Sequence, residues 1–410
     1  MLEKEKFQAG AGVGTIRFPG KLFPLEGFYK VHDDPMVRVL ILGAQKKSAI
    51  VSIELVMLTE DVIEQCRQIV SRHTQIETEN IWIHMTHAIA TPHIPKDARA
   101  DVYCAAVCQA VEEASARAAD SIVDAKMGVG VGISDLIVNR DIETADGMWI
   151  GKAGDGPTNK LMTVLRFENM KKEPIAFLVS YAMKPCVLDN SQKERGERQV
   201  SSDAPGLACR LMEERCKVPV LFCMSAAGDQ IPREVALYDA VQEDGSIVTI
   251  DLGVKKGISM MKELGFEMAQ DAMRIADRLP CVPIEKPVEV RRSEFRWKTK
   301  QPMILKPQKQ GKYTENGETS VEVGVMRIGP LVIIAGKPEM NCITELHLKA
   351  KSMSKYTIIM TMVNGGMRYM PDENSYAMNS WEAMSSLLMP GAAEKFIDVA
   401  SEMVREVNRA

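Results

Sequence analysis

The feature that most narrows the possible folds is an order of segments that occurs once in each half of the chain. Residues 37–42 and 49–55 are rich in β-branched side chains and flank a polar turn, Gly43-Ala44-Gln45-Lys46-Lys47, which predicts a hairpin. Residues 59–73 then carry apolar positions at helical spacing, with Thr59 and Asp61 near the start as caps, and residues 81–85 return to strand. Near the C-terminus the same order predicts a hairpin over 321–328 and 331–335, a helix over 341–352 and a strand over 356–363. The order is shared and the residues are not. Two such units predict sheet cores that meet, with their strand-end loops facing a common cleft.

Between these units, residues 99–119 form an alanine-rich helix and residues 175–183 and 218–224 read as buried strands, each ending in an unusual loop. Residues 189–203 are polar and predict an exposed connection over the cleft. A last helix spans 392–408. No Pro- or Ser-rich linker divides the chain, so the expected fold class is α/β. One large domain, residues 1–410, has mixed β-sheets flanked by helices.

Composition removes several function classes. At 46% apolar and 26% charged residues, a chain of 410 can bury a sizeable core. Its 51 basic and 55 acidic residues are interspersed, with a net charge of −4, which argues against a nucleic-acid partner. The charged opening, Met1 to Lys6, has no export pattern, and the apolar stretches stop short of the ~20 residues needed to span a bilayer. The nine cysteines include no CxxC pair, which predicts reduced thiols in a soluble, cytoplasmic protein with no membrane partner. The 27 methionines read as core filling.

Gly10-Ala11-Gly12-Val13-Gly14 is not a dinucleotide-binding loop, because no strand precedes it and Pro19 follows where a helix would begin; a flexible entry loop is expected instead. His84, His87 and His93 are three of six histidines. Strand alternation sends His84 and His87 to opposite faces, so at most two of the three converge on a metal, and Glu339, just after a buried strand, is a candidate carboxylate ligand. Asp229 either orients a catalytic group or caps a helix whose first turn holds Pro232, with capping favoured. Arg368, Asp372 and Glu373 shape specificity or form a solvated loop.

A longer series of residues carries a family resemblance: Asn80-Ile81-Trp82-Ile83, Thr86-His87 to Pro92, Asn139-Arg140, Ser202-Asp203-Ala204-Pro205-Gly206, Ser225-Ala226-Ala227-Gly228-Asp229-Gln230-Ile231-Pro232 and Asn364-Gly365, Tyr369, Pro371, Trp381-Glu382. In this order they resemble the neutral/alkaline ceramidase superfamily, whose zinc amidases cleave the N-acyl bond of ceramide. The resemblance implies that family's catalytic-domain fold, without the immunoglobulin-like domain some members add. It also implies His87, Glu339 and Tyr369 as zinc ligands, Arg140 as the substrate-facing arginine and Ser225 as a catalytic serine. Trp381 stands where the family has a tyrosine.

Two departures bear on the chemistry. The family's Thr-His-Thr-His is Thr86-His87-Ala88-Ile89 here, and its second zinc histidine, in a strand-end His-Pro, is Lys184-Pro185. An ammonium has three donors and no lone pair, so it binds zinc only after losing its proton, and a nearby cation opposes its charge. Zinc in the family's manner is therefore disfavoured. Lys184 instead pairs with Glu339 in the space of the ion, or, desolvated and partly neutral, serves as nucleophile or base. The expected function is a divergent hydrolase acting on an amide or ester of a small polar, sugar-derived or similar molecule, with ceramide itself disfavoured. In the metal version His87, Glu339, Tyr369 and a fourth group activate water. The alternative is a metal-free binding protein that holds an anionic or hydroxyl-rich ligand with Lys184 and Arg140.

Overall fold

Three hairpin–helix–strand units, one more than the sequence suggested, build the molecule. The computed structural model describes residues 6–152, 155–301 and 303–409. In the first unit the antiparallel strands Met36–Gly43 and Lys47–Ile53 lead through the helix Glu60–Thr74 to Ile81–Met85, which pairs parallel with the second strand. The unit near the C-terminus repeats this with Glu315–Ile328, Leu331–Gly336, the helix Cys342–Lys351 and Tyr356–Met360. The third instance lies between them: Leu161–Asn169, Pro174–Tyr181, the helix Asp203–Cys216 and Val220–Met224. Its pattern is masked in the sequence because a connection over 182–202 separates hairpin from helix.

The first and middle units occupy opposite ends of one nine-stranded sheet, joined through Gln8–Thr15 and Val123–Ile133 at its centre. The C-terminal unit belongs to a four-stranded sheet edged by Glu289–Lys300. Side-chain alternation assigns the layers. Along Met36–Gly43, Val37, Val39 and Ile41 face the helices Glu60–Thr74 and Ala100–Asp120, whereas Leu40 and Leu42 face the second sheet with Trp82, Ile333 and Met360. The helices Asp203–Cys216 and Val254–Ala276 cover the other half of the large sheet, and Ala392–Arg409 covers the back of the small one. The result is a mixed α/β domain of helix, sheet, sheet and helix layers. Among the described residues no helix is long and apolar enough to cross a membrane.

The glycine run is not a loop. Gly10, Gly12 and Gly14 lie within the central strand Gln8–Thr15. At every second residue they face the helix Ala100–Asp120, so closely that a Cβ would stand 2.6, 2.2 and 1.9 Å from the carbonyl oxygens of Ala118, Ala114 and Ala110. Glycine on the strand and alanine on the helix let the two backbones nearly touch, a close approach that any larger side chain would block.

Because each unit's last strand runs parallel to its neighbour, the loops leaving their C-terminal ends gather on one side, the usual place for ligands in such sheets. Backbone bonds stitch these loops across units: Asn364 N donates to Ile83 O, Met85 N to Met362 O, Thr361 N to Met224 O and Ile89 N to Pro185 O.

Candidate functional site

A cavity of about 530 Å³ opens where these loops meet, lined by His87, Arg140, Lys184, Tyr369 and Trp381 with an apolar wall of Ile89, Ile231 and Leu237 among others. A smaller cavity of about 300 Å³ beside Trp82, Arg292 and Lys337 holds none of the site residues expected from the sequence. Two loop residues lining the larger cavity have left-handed backbone, His87 at φ 60° and Asp189 at 41°. Such strain in non-glycine residues concentrates at functional sites.

The three sequence-neighbouring histidines go to three different places. His84, within its strand, is fully buried; its Nδ1 lies 2.8 Å from Thr361 O and its Nε2 accepts from Met224 N at 3.1 Å. Burial pushes it down to about 4, so it is a neutral cross-link among all three units. His93 sits at the cavity mouth with Nδ1 3.1 Å from Glu26. His87 alone reaches inward, its Nδ1 3.1 Å from Glu339 Oε1.

Glu339 and Tyr369 are brought side by side by a two-residue parallel pairing, Glu339–Met340 with Tyr369–Met370. Lys184, three residues past the end of Pro174–Tyr181, extends between them. Its Nζ lies 3.2 and 3.3 Å from the two Glu339 oxygens, donates to Tyr369 OH at 3.3 Å and reaches Gly228 O at 3.4 Å. Lys184 and Glu339 are each only 2% exposed. Burial and Arg140 push the amine down, but Glu339 and Tyr369 outweigh them and hold it above the ordinary lysine value. For Glu339 burial acts upward and its contacts with His87 and Lys184 outweigh it, taking the carboxyl down to about 2. Of the two readings of Lys184, the paired ammonium is the one these contacts support. Tyr369 is pushed up by burial and by the Glu339 carboxylate, so it stays a phenol.

Arg140 is clamped beside this group. Its Nε and Nη2 donate to Glu382 Oε1 at 2.8 and 2.5 Å, and its guanidinium lies 5.3 Å from the Tyr369 ring centre and 5.0 Å from that of Trp381. Glu382, fully buried, was visible in the sequence only as the neighbour of Trp381. Ser225 is placed immediately after Val220–Met224, but it does not line the cavity, and its buried hydroxyl has no hydrogen-bond partner.

Asp229 does not cap a helix at Pro232, because Gln230–Pro232 is a short strand paired with Ile137–Asn139. Its Oδ1 instead accepts from Cys342 N at the start of Cys342–Lys351, a helix cap supplied from a distant loop, and burial takes its carboxyl up to about 7. Asp372 likewise caps a short helix, Glu373–Ala377. The 189–203 connection is exposed only in part; Asp189, Asn190 and Arg198 line the cavity, and Val200 to Asp203 are buried.

Two solved structures share this architecture over nearly the whole chain. A neutral ceramidase from Pseudomonas aeruginosa superposes with a TM-score of 0.78 at 14% identity, covering 99% of this chain and 75% of that one. The fold is that of neutral ceramidase. A ceramidase complexed with C2 gives a TM-score of 0.76 at 13% identity, over 99% of this chain and 76% of that chain. No family model and no curated protein matches the sequence.

The zinc that the ceramidase resemblance implies does not suit the donors present. Among the described residues no three His, Cys, Asp or Glu side chains gather as an ion requires. Around Glu339 the remaining candidates are one imidazole, a phenol and an ammonium whose positive charge already takes both carboxylate oxygens. A divalent ion would have to strip the proton from a lysine held above its ordinary value and then replace its pairing with Glu339.

Proposed function

We propose that this ceramidase-fold chain binds a small polar molecule in the 530 Å³ cavity and hydrolyses an amide or ester bond in it without a metal ion. The observation that carries the reading is the His87 imidazole 3.1 Å from a carboxylate that Lys184 also engages, at the cavity wall. With its proton on Nδ1 beside Glu339, His87 keeps the lone pair of Nε2 for water. Water attacks the carbonyl carbon as His87 takes its proton; the C–N or C–O bond then breaks and the leaving group receives that proton, giving an acid and an amine or alcohol. The Lys184 ammonium and the Tyr369 phenol are the donors available for negative charge that develops on the carbonyl oxygen.

A second reading, ligand binding without turnover, is favoured by Ser225 lying off the cavity surface and by Arg140 giving two of its donors, Nε and Nη2, to Glu382. Hydrolysis of p-nitrophenyl hexanoate and hexanoyl-p-nitroanilide in excess EDTA separates the two. Turnover is expected to be unchanged by the chelator and to fall roughly 10²-fold in a folded His87→Ala variant. Loss of turnover in EDTA would return the site to a metal, and turnover indifferent to His87→Ala would leave binding alone.

A further inference from the structure

One cation of the cavity makes no close ion pair, although Asp189 and Glu26 lie near enough to act on its charge. Arg140 is taken by Glu382 and Lys184 by Glu339, but among the described residues Arg198 has no carboxylate oxygen within the 4.0 Å that defines an ion pair. Its guanidinium is nevertheless fixed. The Cζ lies 3.9 Å from the Phe28 ring centre, and Nη1 donates to Glu26 O at 2.5 Å. Nε is buried with no partner. Asp189, held at φ 41°, is the acid opposite, and its Oδ1 accepts from Asn190 Nδ2 at 2.6 Å. A stacked, anchored and partly desolvated guanidinium with free donors is prepared for a planar anion, since it loses little freedom on binding one.

The surroundings narrow the anion. Glu26, Asp189 and Asp239 also line the cavity, so a doubly charged phosphate would meet three acidic side chains, whereas a single carboxylate matches the single unpaired arginine. Ile89, Ile150, Ile231, Val235 and Leu237 offer an apolar wall in the same space. We infer that Arg198 recognises a carboxylate and that the ligand is an amide joining an apolar acyl group to a carboxylate-bearing amine, the N-acyl amino acid class. This names the substrate for the hydrolysis proposed above and rests on that reading's cavity. Water adds to the acyl carbon, the C–N bond breaks, and the products are a carboxylic acid and a free amino acid.

Calorimetric titration with N-hexanoylglycine and its uncharged amide, N-hexanoylglycinamide, tests the inference without requiring turnover. The carboxylate is expected to bind at least about tenfold more tightly than the amide, the worth of one charge-assisted hydrogen-bonded pair. Arg198→Met should abolish that preference while leaving amide binding in place, and Arg198→Lys should restore part of it. Equal binding of the two probes, or a preference that survives Arg198→Met, overturns the inference. So does tighter binding of n-hexyl phosphate than of N-hexanoylglycine. Carboxylate-selective binding with no hydrolysis would uphold Arg198's role and remove the hydrolase reading; hydrolysis of the nitroanilide with no carboxylate preference would do the reverse.

Discussion

Lys184→Met is expected to lower the unfolding free energy by about 3–5 kcal/mol, read from urea denaturation at pH 7, because it leaves an ionised carboxylate buried without the ammonium that contacts both its oxygens. Methionine fills much of the lysine volume, so the loss is electrostatic and not a cavity effect. His87 remains 3.1 Å from Glu339, and Arg140 is occupied by Glu382, so neither replaces the two-oxygen contact of the ammonium. A loss below about 1 kcal/mol would mean that water reaches Glu339 once the amine is gone, as at an exposed pair. Lys184→His extends the test, since an imidazole has the lone pair an ammonium lacks. Zinc retained after dialysis by that variant and not by the parent is the expected result; stoichiometric zinc in the parent would show that Lys184 gives up its proton and ligates.

The pH dependence of the Lys184→Met loss has a definite sign. Glu339 is depressed from 4.5 to about 2, so its stabilisation is present above 4.5 and disappears as the pH falls toward 2. Lys184 is raised above 10.5, so its contribution is complete below that value and is lost as the pH climbs through the higher one. The difference between parent and variant should therefore stay flat from about pH 5 to 10 and shrink in acid. Asp229 and Asp203, taken up by burial to about 7 and about 6, titrate in both proteins and cancel from the difference.

What could be read in the sequence was of two kinds. Local periodicity located the outer hairpins, their helices and the strand-end loops, because a half-buried strand or an amphipathic helix writes its burial pattern into neighbouring residues. The meeting of Lys184 with Glu339, 155 residues apart, had no local signal and was reached only through the ceramidase resemblance. The glycine run was misread although its signal was present: glycine at every second position has the period of a strand, and the alanine-rich helix that packs on it was already recognised. Arg198 has no signal of its own, because a polar, charged stretch looks the same whether its side chains point to solvent or into a cavity. Glu382 stands beside Trp381 in the sequence with nothing to mark a role of its own. A glutamate in that short helix reads as surface, and only the fold reveals that it is fully buried against Arg140.

That burial makes Glu382→Ala the second large expected effect, a loss of about 3–5 kcal/mol together with weakened ligand binding, because a guanidinium only 7% exposed loses its direct ion-pair partner. The Glu382 carboxylate takes both Arg140 donors on Oε1 and the Ser380 hydroxyl on Oε2 at 3.0 Å, so alanine strands three donors at once. The Tyr369 and Trp381 rings, with centres 5.4 Å apart, hold the guanidinium by their faces and do not replace the missing charge. Arg140→Met combined with Glu382→Ala should recover most of the loss, since removing both members ends the charge imbalance that one deletion creates. The cycle is read from urea midpoints of the parent, both single variants and the double variant. A double variant as unstable as the sum of the singles would show that the two residues act independently, and that Arg140 is held in the cavity by its aromatic neighbours instead of by Glu382.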